Sequence, residues 1–515
     1  MNRRFRVLCI ALALMACASY ALFATGAKEG TAGTAAASQK EVHLYGYLLG
    51  APLPGMADVM TALNAKLKKD LNVTMEINYL GWADYQSKYP LVLAAGENID
   101  WIYTASWCMY ATQAVRGAFY ELSPAVLAKN MPLHYKKEAP TAWKQALVSG
   151  KIYMIPTSTP DRKIGSVALI RGDLRKKYGL PEITKMSQME PYLKAVQQNE
   201  PGMIPMNIEQ GYDLGVVFNG YRNELTPPYN WAISGAVPYI YNYQASNPKV
   251  MTELDGDYAD GFVKAANFVK DWYDKGYFNK DVFANKVRSK EAFEQGKSAV
   301  GFGNSIDTQG NITKAIDSGF EVEIIPLLDS TGHYPADSFI NNGLALAATT
   351  KNAERTLQAL DLMMEDPAYV YLVYFGIEGK NYVITSDGKI GLPPGVTNDQ
   401  NTYPIDQAGF WWVDKDLFKP LASWPPAYIA LNAKIPGMLF TTPYSAFGFI
   451  PDAVKTEIAN VTQVWQQYEW PLQVGMVNDV SQAIATVKDK LAAANSQKVQ
   501  DEIQRQMDAF GAGLK

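Results

Sequence analysis

Residues 42–104 constrain the fold more than any other stretch. Residues 42–48 are strand-like, and Gly50, Pro52 and Pro54 end the run. Met56, Val59, Met60, Leu63 and Leu67 then recur at helical spacing, which predicts a helix ending near Asp70. Val73, Met75, Ile77 and Tyr79 alternate with polar residues, the pattern of a strand with one buried face. A third short strand is expected over 99–104, with Trp101 in the core. Strand, helix, strand, helix, strand is the rhythm of a parallel sheet covered by helices, so the chain reads as α/β.

The same class of signal returns downstream. Residues 167–171 read as a strand, and a short helix from Asp173 is closed by Gly179. Phe262, Ala266, Val269 and Tyr273 form a helical stripe stopped by Gly276. Strands are expected over 299–302 and 343–348, the second followed by a helix capped by Asn352, with Leu357, Leu360 and Met364 inward. No proline follows Pro471, and Val480, Ile484, Val487 and Leu491 mark a long C-terminal helix. Residues 391–426, rich in Pro, Trp and Asp without periodicity, form a long excursion of functional character. Trp143 and Trp465 are assigned to packing.

Composition excludes several functions. The chain has 515 residues, enough for two to four domains, and its 47 basic against 51 acidic side chains leave no basic excess for a general nucleic-acid binder. Three histidines and three cysteines, all far apart, build no recognisable metal cluster or disulfide framework. Arg3, Arg4 and Arg6 precede an uncharged apolar run over 7–24, which predicts an export signal over 1–26. Leu14-Met15-Ala16-Cys17 resembles a lipobox that would lipidate Cys17, whereas ordinary cleavage after Ala24 or Gly26 fits as well. Residues 27–40 read as a flexible tether.

The search for catalytic motifs leaves little. Gly296-Lys297-Ser298 ends like a phosphate-binding loop, but Glu291 stands where its first glycine belongs. Asp255, Asp257 and Asp260 lack the glycine and terminal glutamate of a calcium loop and read as acids at a helix start. Asp414 and Asp416 beside Trp411-Trp412 are the one hydrolase candidate. A glycosidase needs two carboxylates flanking one bond, and the sequence names no partner acid from elsewhere for either residue. No catalytic residue, cofactor or metal is therefore assigned.

Aromatic residues on loops remain. Pyranose rings stack apolar C–H faces on Trp and Tyr, and their hydroxyls need acids and amides. A sugar cleft should show this mixture on loops at strand C-terminal ends. Tyr45 and Tyr47 at the first strand, Trp82 and Tyr85 after the second, and Ser106 and Trp107 after the third fit that pattern. Trp231 and Trp411 join them on composition alone. The alternative reading, that each aromatic is a core residue, stays open at each position.

An ordered set of segments resembles the extracellular solute-binding proteins of bacterial ABC importers, the large carbohydrate-binding type. The set comprises LVLAAGENIDWI at 91–102, GAFYEL at 117–122, GKIYMIP at 150–156, LIRGDL at 169–174 with KYGL at 177–180, and WYDKGY at 272–277 before FEQGKSAV at 293–300. Together these span about residues 41–380; the remainder resembles long family members that include lipoproteins.

The resemblance implies two α/β lobes with a central cleft, joined by hinge crossings near 153–158, 338–343 and 382–385. Lobe one would be 41–155 with 343–381, and lobe two 156–342 with 382–515, including long C-terminal helices. It implies second-lobe ligand contacts from the Gly211-Tyr212 loop, from Asn304, and from Tyr444 and Phe447 in the 443–447 segment. Asn342, on the second crossing, is a further candidate. Trp107 and Tyr444 are expected to be stacking platforms. The implied protein is an exported, monomeric receptor, periplasmic or at the cell surface, that hands an oligosaccharide to a membrane permease. A secreted carbohydrate hydrolase, or a receptor for peptide or another solute coupled to a sensor, is the alternative.

Overall fold

The computed structural model describes residues 40–82, 85–233 and 235–513. The expected export signal, the tether up to residue 39 and Cys17 lie outside the described residues. Nine strands build the two main sheets: β1 (Val42–Leu49), β2 (Val73–Leu80), β3 (Trp101–Thr104), β4 (Ile155–Pro156), β5 (Val167–Arg171), β6 (Ile204–Met206), β7 (Ser298–Gly303), β8 (Val322–Pro326) and β9 (Gly343–Leu346).

The first sheet has the order β2-β1-β3-β9-β4. β1 runs parallel to β2 and β3, as the βαβ rhythm predicts, and β9 returns antiparallel between β3 and β4. The helix joining β1 to β2, α1 (Met56–Leu71), buries Met56, Val59, Leu63 and Leu67, the predicted stripe. It stops where Asn72 turns left-handed at φ 52°, a conformation asparagine tolerates. The second sheet, β8-β5-β7-β6, is mixed: β5 is antiparallel to both neighbours, and β7 is parallel to β6.

Each sheet has its own hydrophobic core, so the molecule has two lobes. The first core gathers Leu44, Val59, Trp101, Leu344 and Leu360; the second gathers Ala168, Phe262, Trp272, Val300 and Ile503. The chain leaves the first sheet after β4, enters the second at β5, and comes back through 327–342 to β9.

Three local expectations change. The last passage between lobes comes later than 382–385, because Tyr403, Phe410, Trp412 and Val413 of the excursion pack in the first core. Tyr428, Leu431 and Ile435 then pack with Val167 and Leu169. Hydrophobic burial thus holds most of the excursion on lobe one, while Trp424 near its end packs with Val167 and Leu169 and donates to Gln309. Asn352 does not cap its helix, α2 (Ala353–Glu365), with its side chain; that amide donates instead to Asp100 Oδ1 at 3.1 Å. The C-terminal stripe continues as two helices, α3 (Val480–Ala493) and α4 (Ser496–Gly513), parted at left-handed Asn495, φ 57°.

Candidate functional site

Loops at the C-terminal ends of β2 and β3 carry Trp82 and Trp107, and the excursion carries Trp411 to the same place. Trp82 stacks on Trp107 with centroids 6.3 Å apart and planes 24° from parallel. It meets Trp411 at 5.7 Å and 32°. Tyr103 supports both partners, 5.9 Å from Trp107 and edge-on to Trp411 at 5.5 Å, while Tyr85 stands edge-on to Trp82. Two indole N–H groups are anchored to backbone: Trp107 Nε1 donates to the Asn341 carbonyl at 2.9 Å, and Trp411 Nε1 to that of Asp406 at 2.8 Å. Their polar edges are thus satisfied within the protein. Trp82 remains 51% exposed, unusual for so large an apolar ring.

A polar floor continues from these rings to the crossings between the lobes. Tyr103 Oη donates to Asn342 Oδ1 at 2.7 Å, and Asn342 Nδ2 donates to Asp161 Oδ2 at 3.3 Å. Lys415 Nζ donates to Asp161 Oδ1 at 2.5 Å. Lys163 pairs with Asp337 at 2.6 Å and reaches Asp161 at 3.7 Å. Asp406 accepts from Tyr374 Oη at 2.8 Å.

Burial alone would raise the Asp161 carboxyl, but Lys415 and Lys163 outweigh it and hold it below its ordinary value. At Asp337 burial wins over Lys163, and that carboxyl is raised; Asp406 is raised by burial too. Burial works against the Lys163 charge, yet Asp337 and Asp161 more than offset it and lift its pKa. The floor therefore offers both carboxylate and ammonium edges to a ligand with hydroxyl groups.

The structure thus brings Trp82, Trp107, Trp411 and Asn342 of the expected residues together. Tyr47 is half-buried on β1 against the first core, its phenol raised by burial and by Glu76. Ser106 and Phe447 line a separate cavity of about 450 Å³ with Tyr110, Ile340 and Phe510. Tyr212 is 73% exposed on a turn whose backbone N–H groups donate to the Glu209 carboxylate, and the Arg288 guanidinium lies 4.4 Å from its ring centre. Trp231 is 37% exposed and edge-on to Tyr229. Asn304 spends its amide oxygen on the N–H groups of Ile306 and Asp307, closing its own turn. Tyr444 is 6% exposed, packed in the second core with Phe510 of α4, which leaves its ring little face to offer as a platform.

Sequence reading missed Tyr103, Asp161, Lys163, Asp337, Asp406 and Lys415. The one available signal was the charged triplet Asp161-Arg162-Lys163 directly after the first crossing. Asp414, the hydrolase candidate, is fully buried and bonded to Lys137, while Asp416 accepts from Thr159 Oγ1 at 2.9 Å. Those two carboxylates are committed to different partners. Cys108 is buried, which raises its thiol pKa and makes it a packing residue. Among the described residues no group of three or more His, Cys, Asp or Glu could hold a metal ion, and no helix is long and apolar enough to cross a membrane.

Comparison with known proteins adds six findings. The family model described as bacterial extracellular solute-binding protein matches residues 62–370, and a domain of unknown function matches residues 443–512. A carbohydrate ABC transporter substrate-binding protein of Streptococcus pneumoniae serotype 4 is 22% identical over 502 residues, 95% of either chain. The polygalacturonan/rhamnogalacturonan-binding protein YtcQ of Bacillus subtilis is 26% identical over 340 residues, 62% of either chain. Among solved structures, the N-glycan transport solute binding protein NgtS from Streptococcus pneumoniae superposes with a TM-score of 0.75 at 21% identity, covering 92% of this chain and 100% of that one. The alginate-binding protein AlgQ2 superposes at 0.64 and 19%, covering 92% and 99%.

Proposed function

The chain belongs to the bacterial extracellular solute-binding proteins, and from that premise we propose that it is the carbohydrate receptor of an ABC importer, capturing an oligosaccharide between its lobes and delivering it to a membrane permease. The observation that carries this reading is the face formed by Trp82, Trp107 and Trp411 above a floor of paired charges. Sugar C–H faces stack on the first and sugar hydroxyls bond to the second. The carbohydrate importers and sugar-binding structures among its relatives support the same ligand class.

In this reading Trp82, Trp107 and Trp411 hold the sugar from lobe one, and Asn342, braced by Tyr103, orients it at the crossing. Tyr212 and Trp231 are the contacts proposed from lobe two. Ligand that touches both lobes only in the closed form shifts the open–closed equilibrium by its differential affinity, and the closed form is what the permease recognises. Lobe one comprises 41–155 with 343 to about 418, the later limit following the packing of the excursion. The protein acts outside the cytoplasm as a monomer, either released after signal cleavage or anchored through a lipid on Cys17. It binds its sugar without chemical change.

Thermal unfolding against a panel of mono- and oligosaccharides tests this. A ligand bound only by the folded state adds ~2.7 kcal/mol of stability at a hundred times its Kd, and the midpoint rises. One sugar class should shift the midpoint and be recovered intact. Cleaved sugar would make the protein a hydrolase; a shift produced only by peptides or other solutes would transfer the reading to them.

A further inference from the structure

We infer that the cleft selects neutral oligosaccharides and rejects chains that carry uronate groups, an inference that rests on the saccharide reading of this site. Its ground is the charge arrangement beneath the tryptophan face. Both ammonium groups of the floor are already held by aspartate: Lys415 by Asp161 at 2.5 Å, and Lys163 by Asp337 at 2.6 Å with Asp161 at 3.7 Å. Arg162, next in the chain, faces Asp416 at 3.6 Å. Asp406 adds a third carboxylate to the floor, bonded to the Tyr374 hydroxyl and joined to the platform through its carbonyl on Trp411. Three carboxylates against two ammonium groups leave the floor with an acidic excess.

A sugar carboxylate entering here meets one of two costs. It must pull a lysine from its aspartate, leaving that carboxylate desolvated and unpaired, or it must sit beside carboxylates of its own sign. A like-charge contact costs several-fold more at the effective dielectric of a protein surface than in bulk water. A hydroxyl meets neither cost. It donates to an aspartate oxygen and accepts from an ammonium edge while the ion pairs stay in place, and both bonds are charge-assisted. The tryptophan face stacks on the apolar side of a pyranose of either class, so the floor decides between the two sugar classes. Selection works by an unfavourable element for the wrong ligand as well as a favourable one for the right ligand.

The test is calorimetric titration of the purified protein with neutral oligosaccharides and with oligogalacturonates of matched length, each at low and high salt. A neutral series should bind with an affinity that salt barely changes, and the uronates should bind ~100-fold more weakly or not at all. A uronate that binds as tightly as its neutral counterpart, with affinity falling as salt rises, would overturn the inference while leaving the saccharide site standing. Binding of neither series would overturn the saccharide reading itself. Asp337→Asn, which takes away the nearest carboxylate of Lys163 and leaves two carboxylates against two ammonium groups on the floor, should narrow the ratio between the two series by about tenfold. An unchanged ratio in that variant, if it folds, would remove this floor as the source of selection.

Discussion

Gly46 and Trp101 show how single residues fix the first lobe. A β-carbon on Gly46 would come within 2.2 Å of the Trp101 indole, and Trp101 is itself sealed edge-on by Trp412 at 5.9 Å. The indole has nowhere to yield, so Gly46→Ala is expected to destabilise the protein by ~1–3 kcal/mol, read as a lower urea midpoint. A wild-type midpoint would show that the ring can move. The adjacent pair Trp411-Trp412 makes a related point about legibility. The two residues share a turn, yet Trp411 joins the aromatic face while Trp412 fills the core. Sequence alone marked the pair but could not say which ring went where. Nor could it foresee that a helix some 60 residues later would cover Tyr444.

Among elements, the π-helical turn Trp465–Glu469 carries the sharpest consequence, because it buries Glu469 beside Arg222, which is already paired with buried Glu253. Burial pushes the Glu469 carboxyl up to about 8, with Gln473 and Arg222 opposing. A carboxyl raised in the folded state favours folding in its protonated form. Its contribution is complete below the unfolded value of ~4.3 and is lost as pH climbs from there through about 8. Stability should therefore decline across that window, and Glu469→Gln should flatten the slope; an equally steep slope in the variant would place its origin elsewhere. Elements with strong periodicity, such as α1, were readable because the helix buries a single face, whereas β2 buries Val73 and Met75 on the expected face and also Leu80 on the other. The break between α3 and α4 was not, since the apolar stripe continues across Asn495 and only its left-handed backbone marks the end.

For the molecule as a whole, the order of segments was enough to give two lobes, whereas the cleft floor joins residues 161, 337 and 415, whose proximity no local pattern encodes. The lobes also meet at the surface through Arg116 and Asp452, 2.9 Å apart and both about half exposed. An exposed pair of this kind is worth at most ~1 kcal/mol, so Arg116→Ala should change ligand affinity by less than about fivefold. A larger loss would mean that this contact holds the closed form. Closure itself should appear as a smaller radius of gyration in solution scattering once sugar is bound; an unchanged radius would mean that binding does not move the lobes. Sugar seats on the tryptophan face in this reading, and tryptophan fluorescence titration tests that seat. With the oligosaccharide found in the thermal panel, the wild-type protein should give a saturable change in emission. Trp82→Ala, at a ring that is half exposed, should weaken binding by at least about tenfold while the unliganded melting temperature stays near that of wild type. Wild-type affinity in Trp411→Ala, and equally in Trp82→Ala, would contradict the claim and move the binding site away from these rings.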